Sequence, residues 1–444
     1  MQESRNMMES IGILPHQQVL FGRYDIMCLI TLGKKGMGII MKKMLSLALT
    51  VAMILGVTSG CKKKLPKFEL KVGDTIEFGN YEDEPIEWEV KHRNFVVGEN
   101  KVIVEFQSTC AIECLPFNED GEASWEDCTL REWLNNDFYE DAFSKSEKKQ
   151  IIDNTYSMYM GDARWLTDKV YLSNEYLRYR LKPGDATCEP TKHAKKQGIR
   201  MEGGSCMYWT LDVVNATSAA QGGKNTTFPI CLGTSKNNAG SSNGPDELNC
   251  ATDVGVRPWI SLEYEATFEM KDIETCDRVT FGTYDEDPIT WVVIDSDKNG
   301  VNLLSKYGLE KMKMDKDADE NDFSKTDLHD WLNDDFYEEA FNKSDKKLIV
   351  ADDDDDNVTL IEKISIKDGF DRECMYELLL GCGYSRAYCE ENDIPDRDVM
   401  DTFWCKGVSD KNDKLMVFSI AKISGGGTDS DQEFSVRPMI TIKF

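Results

Sequence analysis

The sequence predicts an α+β protein of two tandem homologous domains, each an antiparallel β-sheet with two helices. Three matched passages in a fixed order, and a change of hydrophobic period along each copy, predict it. "LREWLNNDFYEDAFSKSEKKQII" (Leu130 to Ile152) returns as "LHDWLNDDFYEEAFNKSDKKLIV" (Leu328 to Val350) with 15 of 23 positions identical. Before it, "IEFGNYEDEPIEWEV" (Ile76 to Val90) pairs with "VTFGTYDEDPITWVV" (Val279 to Val293). After it, "GVRPWISL" (Gly255 to Leu262) pairs with "SVRPMITI" (Ser435 to Ile442). The offset falls from 203 to 198 to 180 residues, so the length differences sit in loops. Two repeats this long mean duplicated domains, whereas a solenoid would show several shorter units. The expected bounds are 71–264 and 271–444, each a comfortable domain size, with 62–70 as a linker.

The elements follow in order. The first block reads as a strand, an acidic turn closed by Pro85 or Pro288, and a strand led by Trp88 or Trp291. In the second copy "VVIDSDKNGVNLLS" completes a hairpin around Asn299 and Gly300. The doubled passage is helical, because Leu130, Trp133, Leu134 and Phe138 fall at i, i+3, i+4 and i+8 and form one apolar stripe. Ser144 with Glu147, and Asn342 with Asp345, resemble capping pairs that start a second helix. The VRP block is a closing strand. Strands, then helices, then strands make an α+β domain, twice over.

Six of the nine tryptophans fall into pairs: Trp88 with Trp291, Trp133 with Trp331, and Trp209 with Trp404. Indoles kept by both copies while the loops diverge are read as structural, as are the matched Arg257 and Arg437. Burying such a ring is worth on the order of 3 kcal/mol.

The front of the chain is addressing. "MKKMLSLALTVAMILGVTSGC" (Met41 to Cys61) has a basic start, an apolar run from Leu45 to Val57 and a small-residue ending. That run is shorter than the ~20 residues a membrane-spanning helix needs and fits a secretory signal. The Thr-Ser-Gly-Cys ending resembles a bacterial lipobox, with Thr58 where Leu is usual, which would make Cys61 the lipid anchor; a plain signal peptide cleaved nearby is the alternative. The acyl chains and "KKK" (Lys62 to Lys64) would hold the protein to the membrane at the cell surface. Residues 1–40 read as an untranslated upstream extension, since "GKKG" (Gly33 to Gly36) is what a purine-rich ribosome-binding site spells when translated.

Composition excludes some functions. With 80 Asp and Glu against 52 Lys and Arg, the net charge of −28 rules against a nucleic-acid partner. No cofactor is indicated beyond weak calcium holding by "DKDADEND" (Asp315 to Asp322) or "DDDDD" (Asp352 to Asp356), and solvated loops are the simpler reading. "DSDKNG" (Asp295 to Gly300) starts like an EF-hand loop, but Lys306 stands where a bidentate Glu is required. His92, His193 and His329 form no metal-ligand spacing, and His329 replaces Arg131 on what reads as a surface of the helix. The twelve cysteines after Cys61 suit an oxidising exterior. Cys110, Cys114, Cys128 and Cys405 all face other residues in the opposite copy, so any disulfides are copy-specific. Cys110 with Cys114, and the trio Cys374, Cys382 and Cys389, are the local candidates.

The first block, the "W-L-N" helix, "DKVYLS" (Asp168 to Ser173), "YWTL" (Tyr208 to Leu211) and "GVRP" resemble, in that order, an uncharacterised bacterial domain, the domain of unknown function 6273. The resemblance covers 71–264 clearly and 277–444 more loosely. The family's "WWLRS" has lost its Arg here, in "YWTL" and in "FWCK" (Phe403 to Lys406) alike. The Trp block with a closing VRP strand is also distantly similar to the C-type-lectin-like fold shared with formylglycine-generating enzymes. That resemblance implies ligand contacts in the irregular stretches 212–252 and 407–433, and hence at Asn225, Asn237, Asn238, Asp246, Asp429 and Asp431. The expected function is a lipid-anchored, extracytoplasmic protein whose duplicated domains bind a cell-surface glycan, peptide or protein. No catalytic motif is evident. An oxidase-like or hydrolase-like enzyme with its site in one copy's divergent loops, and a structural surface spacer, are the rival readings.

Overall fold

A computed structural model describes residues 65–120, 124–157, 165–173, 187–202, 204–218, 224–232, 251–317, 320–362, 385–386, 388, 402–408, 414–419 and 424–444. It is a mixed α/β structure, mostly sheet with few and short helices. The segments 1–40 and 41–61, Cys61 included, lie outside the described residues. No helix among the described residues is long and apolar enough to cross a membrane.

Ten strands make the main sheet: β1 (Thr75–Tyr81), β2 (Glu84–Val96), β3 (Lys101–Ser108), β4 (Val170–Tyr171), β5 (Trp259–Glu265), β6 (Arg278–Tyr284), β7 (Asp287–Ser296), β8 (Val301–Ser305), β9 (Ile349–Val350) and β10 (Met439–Ile442). Their order is β9-β10-β8-β7-β6-β2-β3-β5-β4, with β1 paired to β2. Each copy opens with the expected hairpin. Its turn holds two acidic residues in the left-handed region, Glu82 and Asp83 in one copy and Asp285 and Glu286 in the other, the backbone that tight hairpins of matching twist require.

The copies join through one overhang. β2 is 13 residues long and outruns β1, leaving Asn94, Phe95 and Val96 to pair in parallel with Arg278, Val279 and Thr280 of β6. This covers a sheet edge that would otherwise present unpaired backbone groups. Side chains reinforce the seam. The Arg93 guanidinium donates two hydrogen bonds to the Asp277 carboxylate, at 2.9 and 2.6 Å. Arg278 pairs with Glu105 at 2.6 Å. Among the described residues, buried apolar side chains of both copies belong to one connected core. Of the expected 62–70 linker, residues 65–70 are described. Phe68 is buried against Phe95 and Tyr264, and its backbone bonds to Thr267.

The doubled passage forms one short, broken helix per copy, followed in the second copy by a single 3-10 turn at Asp345–Lys347. Helical turns Thr129–Trp133 and Tyr139–Ala142 flank a π-helical turn, Leu134–Phe138, and the second copy repeats this at Asp327–Trp331, Leu332–Phe336 and Tyr337–Ala340. Asn135 explains the helix's fit. Its amide donates to the carbonyls of Arg131 and Val170 and accepts from the N–H groups of Lys169 and Val170. Asn333 does the same with His329, Val358 and Asn357. The Ser144–Glu147 and Asn342–Asp345 pairs do form reciprocal caps, but the chain turns back to the sheet at Ile151 or Ile349 before a second helix can propagate.

The paired indoles sit where the repeat placed them. Trp88 and Trp291 are fully buried and donate to Phe78 O and Phe281 O, each at 2.7 Å. Trp209 and Trp404 are fully buried and donate to Leu115 O and Met312 O, each at 2.9 Å. Trp133 and Trp331 are half-buried against Phe138 and Phe336. Gly79 and Gly282 make the core possible: both have positive φ, and a Cβ on either would meet the carbonyl of Ala142 or Ala340 at 2.8 Å. Arg257 and Arg437 are buried under the rings of Tyr208 and Phe403, at 5.2 and 5.1 Å.

Part of 212–252 and 407–433 is regular. Strands Tyr208–Ser218 and Lys224–Leu232 form a long hairpin, and Thr402–Val408, Leu415–Ser419 and Ser424–Gly427 form its counterpart. β-branched runs such as "TTF" and "VV" favour the pleated backbone over the expected loop.

Candidate functional site

Side chains of a strand alternate between the two faces of its sheet. On the main sheet, one face carries Trp88, Phe106, Ile260 and Trp291 into the core. The opposite face of the first copy is neither apolar nor bare. In register across it stand Glu89, Gln107, Trp259 and Tyr171. A bulge between Val90 and His92 brings His92 opposite Glu105, and so onto this second face.

Of these, His92, Glu105, Tyr171 and Trp259 border a cavity of about 340 Å³ at the seam between the copies. The first copy supplies His92, Glu105, Tyr156, Trp165, Tyr171 and Trp259, and the second Arg278, Asp287, Lys306, Tyr307 and Arg386. The aromatic rings line the cavity in two groups, His92, Trp259, Tyr171 and Tyr156 in one and Trp165 with Tyr307 in the other. His92 stacks on Trp259 with centroids 5.8 Å apart, Tyr156 stacks on Tyr171 at 5.4 Å, and Trp165 meets Tyr307 edge-on at 5.3 Å. Charges are arranged as pairs in the wall: Arg278 with Glu105, and Arg386 with Asp287 at 2.6 Å.

The hydrogen bonding behind the rings is satisfied. Trp125 Nε1 donates to the Tyr156 hydroxyl at 2.7 Å, Tyr156 donates to Asp168, and Asp168 also accepts from Arg131 at 2.8 Å. Burial, then the Asp168 charge, raises the Tyr156 pKa well above the ordinary phenol value. Burial, then Glu105, does the same for Tyr171, whose hydroxyl lies 3.2 Å from Ser261 Oγ. Both phenols therefore stay protonated. By contrast, the indole N–H groups of Trp165 and Trp259 and the Ser173 hydroxyl, all bordering the cavity, are buried without a hydrogen-bond partner. Such groups cost about 1–3 kcal/mol each when left unmet.

The residues expected to bind ligand lie elsewhere. Asn237, Asn238 and Asp246 are outside the described residues, and Asn225 is placed only as a strand position opposite Thr217. Asp429 pairs with Lys414, and Asp431 accepts from Gln432, beside the strand Glu433–Val436 and away from the cavity lining. The acidic runs have structural work. Asp315 accepts the Asp327 N–H at the helix start, and Asp297 closes the β7–β8 turn by accepting from Asn299 and Gly300. No group of three or more His, Cys, Asp or Glu side chains is arranged to hold a metal among the described residues. His329 is not a plain surface residue, because it bonds Asp356 at 2.9 Å in the position where Arg131 bonds Asp168. His193 likewise bonds buried Glu113 at 2.8 Å, and Tyr81 donates to the same carboxylate at 3.0 Å.

The cavity residues were missed because they come from strands far apart in sequence. One signal could have found two of them: Trp125, Trp165 and Trp259 are the tryptophans that the repeat leaves unpaired. Of these, Trp165 and Trp259 line the cavity and Trp125 supports its wall. No curated protein and no solved structure matches the chain. One family does: the profile described as a domain of unknown function (DUF6273) matches residues 112–264, which bears out the resemblance for that part of the first copy.

Proposed function

We propose that the chain is a lipid-anchored, extracytoplasmic binding protein that takes a small glycan in the seam cavity. In this reading the copies are tandem α+β domains of a C-type-lectin-like kind that have fused their sheets to build one site. Cys61 is the anchor, and the ligand belongs to the cell surface. The observation that carries the proposal is the combination of stacked aromatic rings with unpartnered buried donors at Trp165, Trp259 and Ser173. Sugar rings offer C–H faces for aromatic stacking and hydroxyl oxygens for such donors. The volume lies at the small end of ligand sites, which run from roughly 300 Å³ upward, and suits one or two sugar units.

Calorimetric titration with a panel of neutral, N-acetylated and acidic mono- and disaccharides tests the reading. One class is expected to bind at one site per chain and to change tryptophan fluorescence, because two indoles line the cavity. Silence across the panel in both heat and fluorescence would remove the glycan proposal.

A further inference from the structure

We infer that Cys188 and Cys206 are a redox pair that closes to a disulfide when the chain meets a small-molecule disulfide. They lie apart from the seam cavity. Both are buried and are free thiols. Their backbones lie abreast: Cys206 N–H donates to Cys188 O at 2.8 Å, and the Cys206 thiol donates to the same oxygen at 3.1 Å. Ser205 Oγ accepts from Cys188 N–H at 2.8 Å and fixes the register. A single N–H···O bond of this length holds the two Cα atoms roughly 5–6 Å apart, inside the span of about 4.4–6.8 Å that a disulfide bridges.

The pair is also chemically differentiated. A hydrogen bond from Cys206, helped by the buried Arg257 charge, outweighs burial and holds the Cys188 thiol below its usual range. The same hydrogen bond and burial push Cys206 upward. Burial pushes up Cys110 as well, Cys114 to about 11 and Cys128 to about 12. Thiolate, not thiol, is the nucleophile, so Cys188 is the attacking sulfur. It displaces one thiolate from the external disulfide and forms a mixed disulfide. Cys206 then loses its proton to the departing thiolate, attacks the Cys188 sulfur and expels the second thiolate. The chain gains one S–S bond and gives up two protons and two electrons, and the external disulfide becomes two thiols.

The test equilibrates the full chain with graded ratios of oxidised to reduced glutathione, then quenches with acid, alkylates after denaturation and maps peptides by mass. A single cross-link joining 188 to 206 is expected at ratios where Cys110, Cys114 and Cys128 remain alkylatable. In the Cys206→Ser variant, Cys188 is expected to retain glutathione as a trapped mixed disulfide. Oxidation of all thiols together, a bridge between Cys110 and Cys114, or no bridge at any ratio would each overturn the inference. Should Cys206→Ser fail to fold, the unmodified chain's map still decides the matter.

Discussion

The two copies treat the same face of the same sheet in opposite ways. In the first copy the row is Glu89, Gln107, Trp259 and Tyr171. The corresponding row of the second copy is Val292, Leu304, Met439 and Thr359. Val292 and Leu304 are buried with Ile361, Phe403, Cys405 and Met416 in a small apolar cluster, with Met439 packed against it. One copy thus closes its second face with aliphatic packing, while the other leaves it aromatic, polar and open to a cavity. The core face shows no such split, since Trp88 and Trp291, Gly79 and Gly282, and Asn135 and Asn333 make the same contacts. The two matched passages agree on the face that packs the core and differ on the face that does not.

The largest expected effect tests the shared half of this comparison. Trp88→Ala or Trp291→Ala removes a fully buried indole and its hydrogen bond, which should cost about 3–5 kcal/mol. Because β2 and β6 pair across the seam, damage in either copy should lower one common transition in urea, followed by circular dichroism and fluorescence together. Two separable transitions would mean that the copies fold as independent units after all.

A smaller effect tests the divergent half. Trp259→Met with Tyr171→Thr gives the first copy the residues of the second. Glycan affinity should fall at least about tenfold, equivalent to ~1.4 kcal/mol, while the unfolding midpoint moves less than in Trp88→Ala. Retained affinity would move the binding site out of the cavity and into the loops.

Local pattern made the packing half of the molecule legible in the sequence. The stripe through Leu130, Leu134 and Phe138, the acidic hairpin turns and the paired indoles depend on neighbours a few residues away or on direct comparison of the copies. What escaped depends on register. His92 reaches the cavity face only through a bulge, and a bulge leaves no mark in the residue types. Asn135 reads as an exposed polar position on a helix, yet its amide docks the segment Lys169–Val170. The overhang of β2 that joins the copies is a matter of strand length, and composition does not encode where its edge goes.

The smallest effect concerns one exchange within the doubled passage. Arg131 bonds Asp168 in the first copy, and His329 bonds Asp356 in the second. An arginine stays charged at any accessible pH, whereas a histidine does not. Burial pulls the His329 pKa down, but the hydrogen bond and charge of Asp356, aided by Asp330, outweigh it, and the value ends above the ordinary one. Folding therefore favours the protonated ring. The contribution is complete below the unfolded-state pKa of about 6.5 and is lost as pH rises through the higher folded-state value. Its size is less than about 1 kcal/mol, because the pair is partly screened by solvent. The urea midpoint of the natural chain should thus fall relative to that of His329→Arg between mildly acidic and mildly alkaline pH. Other titrating groups are common to both proteins and cancel in that difference. Asp356→Asn should return the His329 resonance, followed by NMR, toward its ordinary titration. A resonance that does not shift would mean that the ring and the carboxylate are not partners in solution, and that the two copies differ at this position in residue alone.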